Sequence, residues 1–178
     1  QLMEQVMEVC ADSQSGETPL MIAAAQGRTS MVKELLDEGE DIDDTNDYGW
    51  TPLHYAVFHG HEETARFLLE QEAEQDIPDF EDEDLEVETA APLQTTVERG
   101  HAGCLRALLE YADEEDVDDT LLGGLLCLAA KHGREECIEV LLERGAQLEY
   151  RHEDRTPLLH AAAAGRCHCL RFLLEKGA

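Results

Sequence analysis

The stretch Thr51-Pro-Leu-His-Tyr-Ala-Val-Phe-His-Gly60 reads as one short helix with both of its ends specified. A threonine hydroxyl can cap the first turn, and proline is tolerated at the first helical position. Gly60 ends the helix and permits a left-handed turn. Small residues in the middle let a neighbouring helix approach closely. Working outward, the same phrase returns as Thr18 to Gly27, Ala91 to Gly100, Gly124 to Gly133 and Thr156 to Gly165, at spacings of 33, 40, 33 and 32 residues.

Each phrase is followed by a second helical stretch that ends in a double leucine: Leu35-Leu36, Leu68-Leu69, Leu108-Leu109, Leu141-Leu142 and Leu173-Leu174. Its apolar residues recur at three- and four-residue spacing, as in Met31, Val32, Leu35 and Leu36, which predicts a helix with one apolar face. One such pair cannot bury that face alone, whereas a stack of pairs can.

Five copies in register make the chain resemble the ankyrin repeat over nearly its whole length. The resemblance implies an all-α solenoid of about five helix pairs joined by β-turn fingers. Repeats start near 18, 51, 91, 124 and 156, all within a single domain spanning residues 1–178. Residues 1–17 are expected to form an N-terminal cap, with a lone helix over 2–10 (Leu2, Met3, Val6, Met7 and Cys10). The chain starts without Met and stops at Gly177-Ala178, where the family pattern would begin another finger, so it reads as a piece of a longer protein. Two copies depart from the pattern. Ala91 replaces the capping threonine in the third, and Gly124-Leu125, preceded by Leu121, Leu122 and Gly123, stands for Thr-Pro in the fourth, where the sequence leaves the start of the first helix open. Seven extra residues lengthen the finger between the second and third copies.

Thirteen basic and 41 acidic side chains leave a formal charge of −28. Residues 1–123 hold five basic and 33 acidic side chains, and residues 124–178 hold eight of each. A surface this acidic repels nucleic acid and anionic lipid and favours basic partners. The acids gather between helix pairs, with seven in 37–47, ten in 72–88 and six in 113–119. Two readings stay open: a directed electrostatic face, or charge placed where the chain is wettest.

In ankyrin repeats the partner meets the finger tips and the exposed end of the first helix. Carried onto the second copy, the resemblance implies contacts at Asp44, Asp47, Tyr48 and Trp50 in the finger and at Phe58 and His59 on the helix. On the third copy the matching helix positions are Glu98 and Arg99, and on the fourth Lys131 and His132. The long finger adds Asp79, Phe80, Glu81, Asp82, Glu83 and Asp84. Aromatics beside carboxylates suit a Lys or Arg side chain, and some ankyrin domains read lysine-bearing histone tails in this way. Alternatively, Trp50 packs against the next finger.

Other chemistries find little support. The acidic run 79–88 lacks the central glycine of a calcium-binding loop. Cys167-His168-Cys169 looks like a metal cluster until the repeats are aligned. Cys104, Cys137 and Cys169 each follow a turn glycine by four residues, a position on the buried face of the second helix, where cysteine acts as a small hydrophobe. His61 and His101 follow turn glycines and are expected to be structural. No nucleophile–base arrangement or phosphate loop stands out, so neither an enzyme nor a cofactor is expected. No apolar run reaches the length of a membrane span, and six cysteines without a secretory signal read as reduced thiols of the cytoplasm or nucleus. The expected function is a monomeric protein-interaction module that takes a basic segment of another protein, without direct binding to nucleic acid or membrane. The rivals are an acidic mimic of nucleic acid that inhibits a basic protein, and an arm that targets a catalytic domain elsewhere.

Overall fold

A computed structural model describes residues 16–73, 75, 91–113 and 116–178. The expected capping helix over 2–10 and the long acidic finger lie outside the described residues. Ten helices alternate along the rest: α1 Pro19–Ala25, α2 Thr29–Asp37, α3 Pro52–Phe58, α4 Glu62–Glu70, α5 Pro92–Arg99, α6 Ala102–Tyr111, α7 Asp119–His132, α8 Glu135–Glu143, α9 Pro157–Ala163 and α10 Cys167–Lys176. The odd-numbered helices pack in one row, from α1 to α9, and α2, α4, α6 and α8 pack in a second. Among the described residues there are no β-strands, only one isolated bridge between His152 and Arg155.

The phrase that opens each copy does what its residues dictate. Thr18, Thr51 and Thr156 accept the backbone N–H of Met21, His54 and Leu159 at 3.3, 3.4 and 3.4 Å, with proline following each. Ala91 provides no side-chain cap, as its methyl requires, and α5 starts on Pro92 alone. In the fourth copy the structure gives the helix start that the sequence left open. Its first helix begins not at Gly124 but five residues earlier, at Asp119, where the Asp118 carboxylate accepts from Leu121 N–H at 2.7 Å. An aspartate cap in an acidic finger thus stands in for the missing threonine.

The two rows enclose a continuous apolar core that runs from Leu20 through Leu53, Leu93 and Leu125 to Leu173. Polar rungs tie the copies together at one edge. The residue after each turn glycine reaches back to the carbonyl two residues before the turn glycine of the preceding copy. His61 Nε2 meets Ala25 O at 2.9 Å, His101 Nε2 meets Phe58 O at 3.3 Å, Arg134 Nε donates to Glu98 O at 2.8 Å, and Arg166 Nε donates to Lys131 O at 3.1 Å. His61 and His101 are therefore structural, as expected. The rungs also demand the glycines. At Gly60, with φ +75°, an added Cβ would stand 2.6 Å from His101 Nδ1. Cys104, Cys137 and Cys169 are buried, while Cys167 is exposed. The spacing of the first three implied this buried face, and across copies Cys137 Sγ lies 3.9 Å from Thr96 O and Cys169 Sγ 3.8 Å from Ala130 O.

Candidate protein-binding surface

The finger before α3 is built around a residue that sequence reasoning passed over. Asn46 is buried, and its Oδ1 accepts from both Tyr48 N–H and Trp50 N–H at 2.9 Å. Its Nδ2 donates to Tyr55 Oη at 2.9 Å, and Asn46 N–H donates to Trp50 O at 3.1 Å. Tyr55 Oη in turn donates to Glu17 at 2.6 Å. Burial, then the Glu17 carboxylate, pushes the Tyr55 phenol well above its ordinary range, so it stays a donor. One amide therefore sets the loop that carries Tyr48 and Trp50. The signal was present in Asn46-Asp47-Tyr48-Gly49, since asparagine closes such turns on its own backbone, and Gly49 at φ +76° completes it.

Trp50 is half-buried, and it packs on the helix of its own copy. Its ring lies 5.0 Å from Phe58, 5.4 Å from Tyr55 and 6.2 Å from His54, centre to centre. Tyr48 is 68% exposed, and Asp44, Asp47, His59 and Glu98 are exposed. Asp44 Oδ1 accepts from Thr45 N–H at 2.9 Å. Asp44, Asp47, Tyr48 and Trp50 thus share one finger, with Phe58 and His59 at the end of the adjoining helix. Glu98 and Arg99 come up beside them from α5. Asp79, Phe80, Glu81, Asp82, Glu83 and Asp84 lie outside the described residues.

Arg99 is the second residue whose part was missed. Its guanidinium carbon sits 3.3 Å from the centre of the Phe58 ring. The register explains it: the residue before one turn glycine lies over the residue two before the preceding turn glycine. The His59 ring stands 5.1 Å from Phe58 and 6.1 Å from His61. Partial desolvation of the ring, then His61, Arg99 and His101, pushes the otherwise exposed His59 imidazole below its ordinary value. Burial likewise lowers His101, against the opposing pull of its bond to Phe58 O. Near neutral pH the site therefore offers ring faces, neutral imidazoles, one cation and surrounding carboxylates.

Comparison with known proteins agrees with this architecture. The family model "Ankyrin repeats (3 copies)" matches residues 1–79 and 93–178. Protein phosphatase 1 regulatory subunit 12A of Mus musculus is 43% identical over 58 residues, which are 33% of this chain and 6% of that protein. The ankyrin repeat, SAM and basic leucine zipper domain-containing protein 1 of Mus musculus is 49% identical over 51 residues, 29% of this chain and 11% of that protein. The matched stretches are thus a small part of these relatives. Among solved structures, the human ASB11 ankyrin repeat domain superimposes with a TM-score of 0.73 at 31% identity, covering 91% of this chain and 70% of that one. The ankyrin repeat domain of Bcl-3 gives 0.70 at 28% identity, covering 93% and 74%. Threonine-capped helix pairs, glycine turns, cross-copy rungs and a family match over most of the residues lead to one conclusion: the chain belongs to the ankyrin-repeat family.

Proposed function

We propose that this chain, whose family mediates protein–protein interaction, reads a basic, extended segment of a partner protein across the fingers of its first three copies. Tyr48, Trp50 and Phe58 supply the anchor, and Asp44, Asp47 and the neighbouring finger carboxylates supply the steering charge. The observation that carries this reading is Arg99, whose guanidinium already lies 3.3 Å over Phe58 beside Trp50. The ring cluster takes a cation from the chain itself, and an incoming arginine or lysine would find the same chemistry on Tyr48. Exposed ion pairs contribute only about 0.2–1 kcal/mol each, so the carboxylates select and the rings hold. A lysine-bearing histone tail has the required composition.

The test is titration with basic peptides, histone-tail sequences among them, following Trp50 emission at low and physiological salt. A saturable change that persists at physiological salt and is lost with scrambled peptides is the expected result. Tyr48→Ala, at an exposed position that the fold does not need, should weaken binding more than neutralising Asp44 or Asp47 singly. Arg99→Gln, which uncovers Phe58 and removes a competing cation, should strengthen it about threefold. Equal losses from Tyr48→Ala and the single carboxylate changes would sink the reading. The excess of 33 acids over five bases in residues 1–123 supports a second reading, an acidic mimic of nucleic acid. That reading requires competition with DNA or RNA for the partner and indifference to Tyr48→Ala.

A further inference from the structure

The aromatic block of the second copy has a counterpart in the fifth, and there His160 is the one ring that remains. Aligned on Thr51 and Thr156, Trp50 becomes Arg155, Tyr55 becomes His160, Phe58 becomes Ala163 and His59 becomes Ala164. The volume those rings fill is left as a cavity of about 220 Å³ between α7, α9 and the finger joining α8 to α9. Gly124, Cys127, Leu128 and Ala163 give it an apolar lining, while Lys131, Glu153 and Arg155 contribute charge.

The cavity is a shaped feature. A hairpin turn over 152–155 is closed by His152 N–H to Arg155 O at 3.1 Å and Arg155 N–H to His152 O at 2.9 Å. Its two central residues, Glu153 and Asp154, take φ of +51° and +59°, a left-handed conformation that costs non-glycine residues about 1–2 kcal/mol each. Strain of this kind persists where the surroundings fix it, and here it holds Arg155 at the mouth. The His160 ring is buried with its Nε2 3.2 Å from His152 O.

Six of the thirteen cations are held by ion pairs or hydrogen bonds among the described residues. Arg66, Arg106 and Lys176 pair with Glu110, Glu143 and Glu139, Arg134 and Arg166 make rungs, and Arg144 donates to Leu109 O. Among the described residues the side chains of Lys131 and Arg155, like those of Arg28, Arg151 and Arg171, make neither an ion pair nor a hydrogen bond, and of these five only Lys131 and Arg155 line the cavity. Two such cations against one carboxylate, on an apolar cavity in a chain of charge −28, mark a place of opposite preference from the acidic fingers. Cys127 is no nucleophile here, since burial pushes its thiol up to about 12.

We propose that this cavity anchors a medium-sized apolar side chain of a partner polypeptide whose neighbouring residue is acidic. The apolar side chain occupies the volume that aromatic rings fill in the second copy, and the carboxylate meets Lys131 and Arg155. The inference stands apart from the basic-segment reading, because it uses none of the same residues.

The probe is a blocked pentapeptide, acetyl-Gly-Gly-Leu-Glu-Gly-amide, titrated into the 178-residue protein while backbone amide shifts are followed at Gly124, Leu128, Ala163 and Ala164. Saturable shifts are expected there, with resonances of α1 to α3 unmoved. Replacing the peptide's leucine by alanine should weaken binding at least about tenfold. Replacing its glutamate by glutamine should weaken it about fivefold, the size of two solvent-exposed ion pairs. Ala163→Phe restores the ring of the second copy and should abolish the shifts. Lys131→Gln with Arg155→Gln, both at exposed positions, should erase the preference for glutamate over glutamine but keep that for leucine. Equal binding of the leucine and alanine peptides, or a glutamate preference that survives the double substitution, overturns the proposal. So does isovalerate saturating the same amides at the same concentration, which would make this a small-carboxylate site.

Discussion

Asn46 shows how much one side chain can settle. Both ends of its buried amide are used, and what they hold are the two finger aromatics of the candidate surface. Asn46→Ala leaves the N–H groups of Tyr48 and Trp50 and the Tyr55 hydroxyl short of a partner. The expected loss is about 1–3 kcal/mol of stability by urea unfolding, accompanied by weaker binding of basic peptides. Asn46→Asp keeps the acceptor but not the donor and should fall between. At this scale the sequence was only partly legible. Tyr48, Trp50, Phe58 and His59 could be placed together by register alone. Asn46 was legible only as a turn former, because nothing in a single sequence tells an asparagine whose amide is buried and bonded from one left in water. Arg99 was aligned to its proper position, yet the ring beneath it belongs to another copy, and such contacts appear only when the stack is built.

The helices were easier to anticipate than their exceptions. Threonine caps, proline starts and glycine stops are local chemistry, so copies one, two and five followed directly. The fourth copy did not. Its first helix runs 14 residues through Gly123 and Gly124, although glycine inside a helix costs about 1 kcal/mol relative to alanine. Tertiary contacts explain the choice: a Cβ at Gly123 would collide with the Tyr150 ring from the next finger, and Gly124 lines the cavity. The turn glycines offer a controlled test of the rungs. Gly60 and Gly165 share a left-handed φ, +75° and +67°, but only Gly60 is covered, by His101, whereas a Cβ at Gly165 meets nothing within 4 Å. Alanine at either position bears the same backbone strain of about 1–2 kcal/mol. Gly60→Ala should cost about 1 kcal/mol more by urea unfolding, for the displaced rung. Equal costs would show that the rung adds nothing.

Across the whole molecule, charge and titration are distributed by copy. The −28 imbalance belongs to residues 1–123, while in the balanced C-terminal copies Arg134 and Arg166 serve rungs and Lys176 a cross-copy ion pair. Each copy from the second to the fifth also carries one imidazole pushed below its ordinary value: His59, His101, His132 and His160, in every case chiefly by desolvation. Because the folded value is the lower one, each contributes stability that is complete above the unfolded value of about 6.5 and is lost as pH falls toward the folded value. Glu40, whose carboxyl burial pushes up, acts in the opposite sense. Proton NMR titration of the imidazoles separates these contributions, and the four should titrate below about 6.5; values above it would contradict the assignment. The rungs have one further consequence. Since any copy's donor meets any preceding copy's glycine and carbonyl in the same way, order along the stack is a matter of surface and not of fit. A chain in which the second and fifth copies traded places would keep its joints. It would lose the cavity, which needs α7 beside α9, and carry its aromatic block to the far end of the stack.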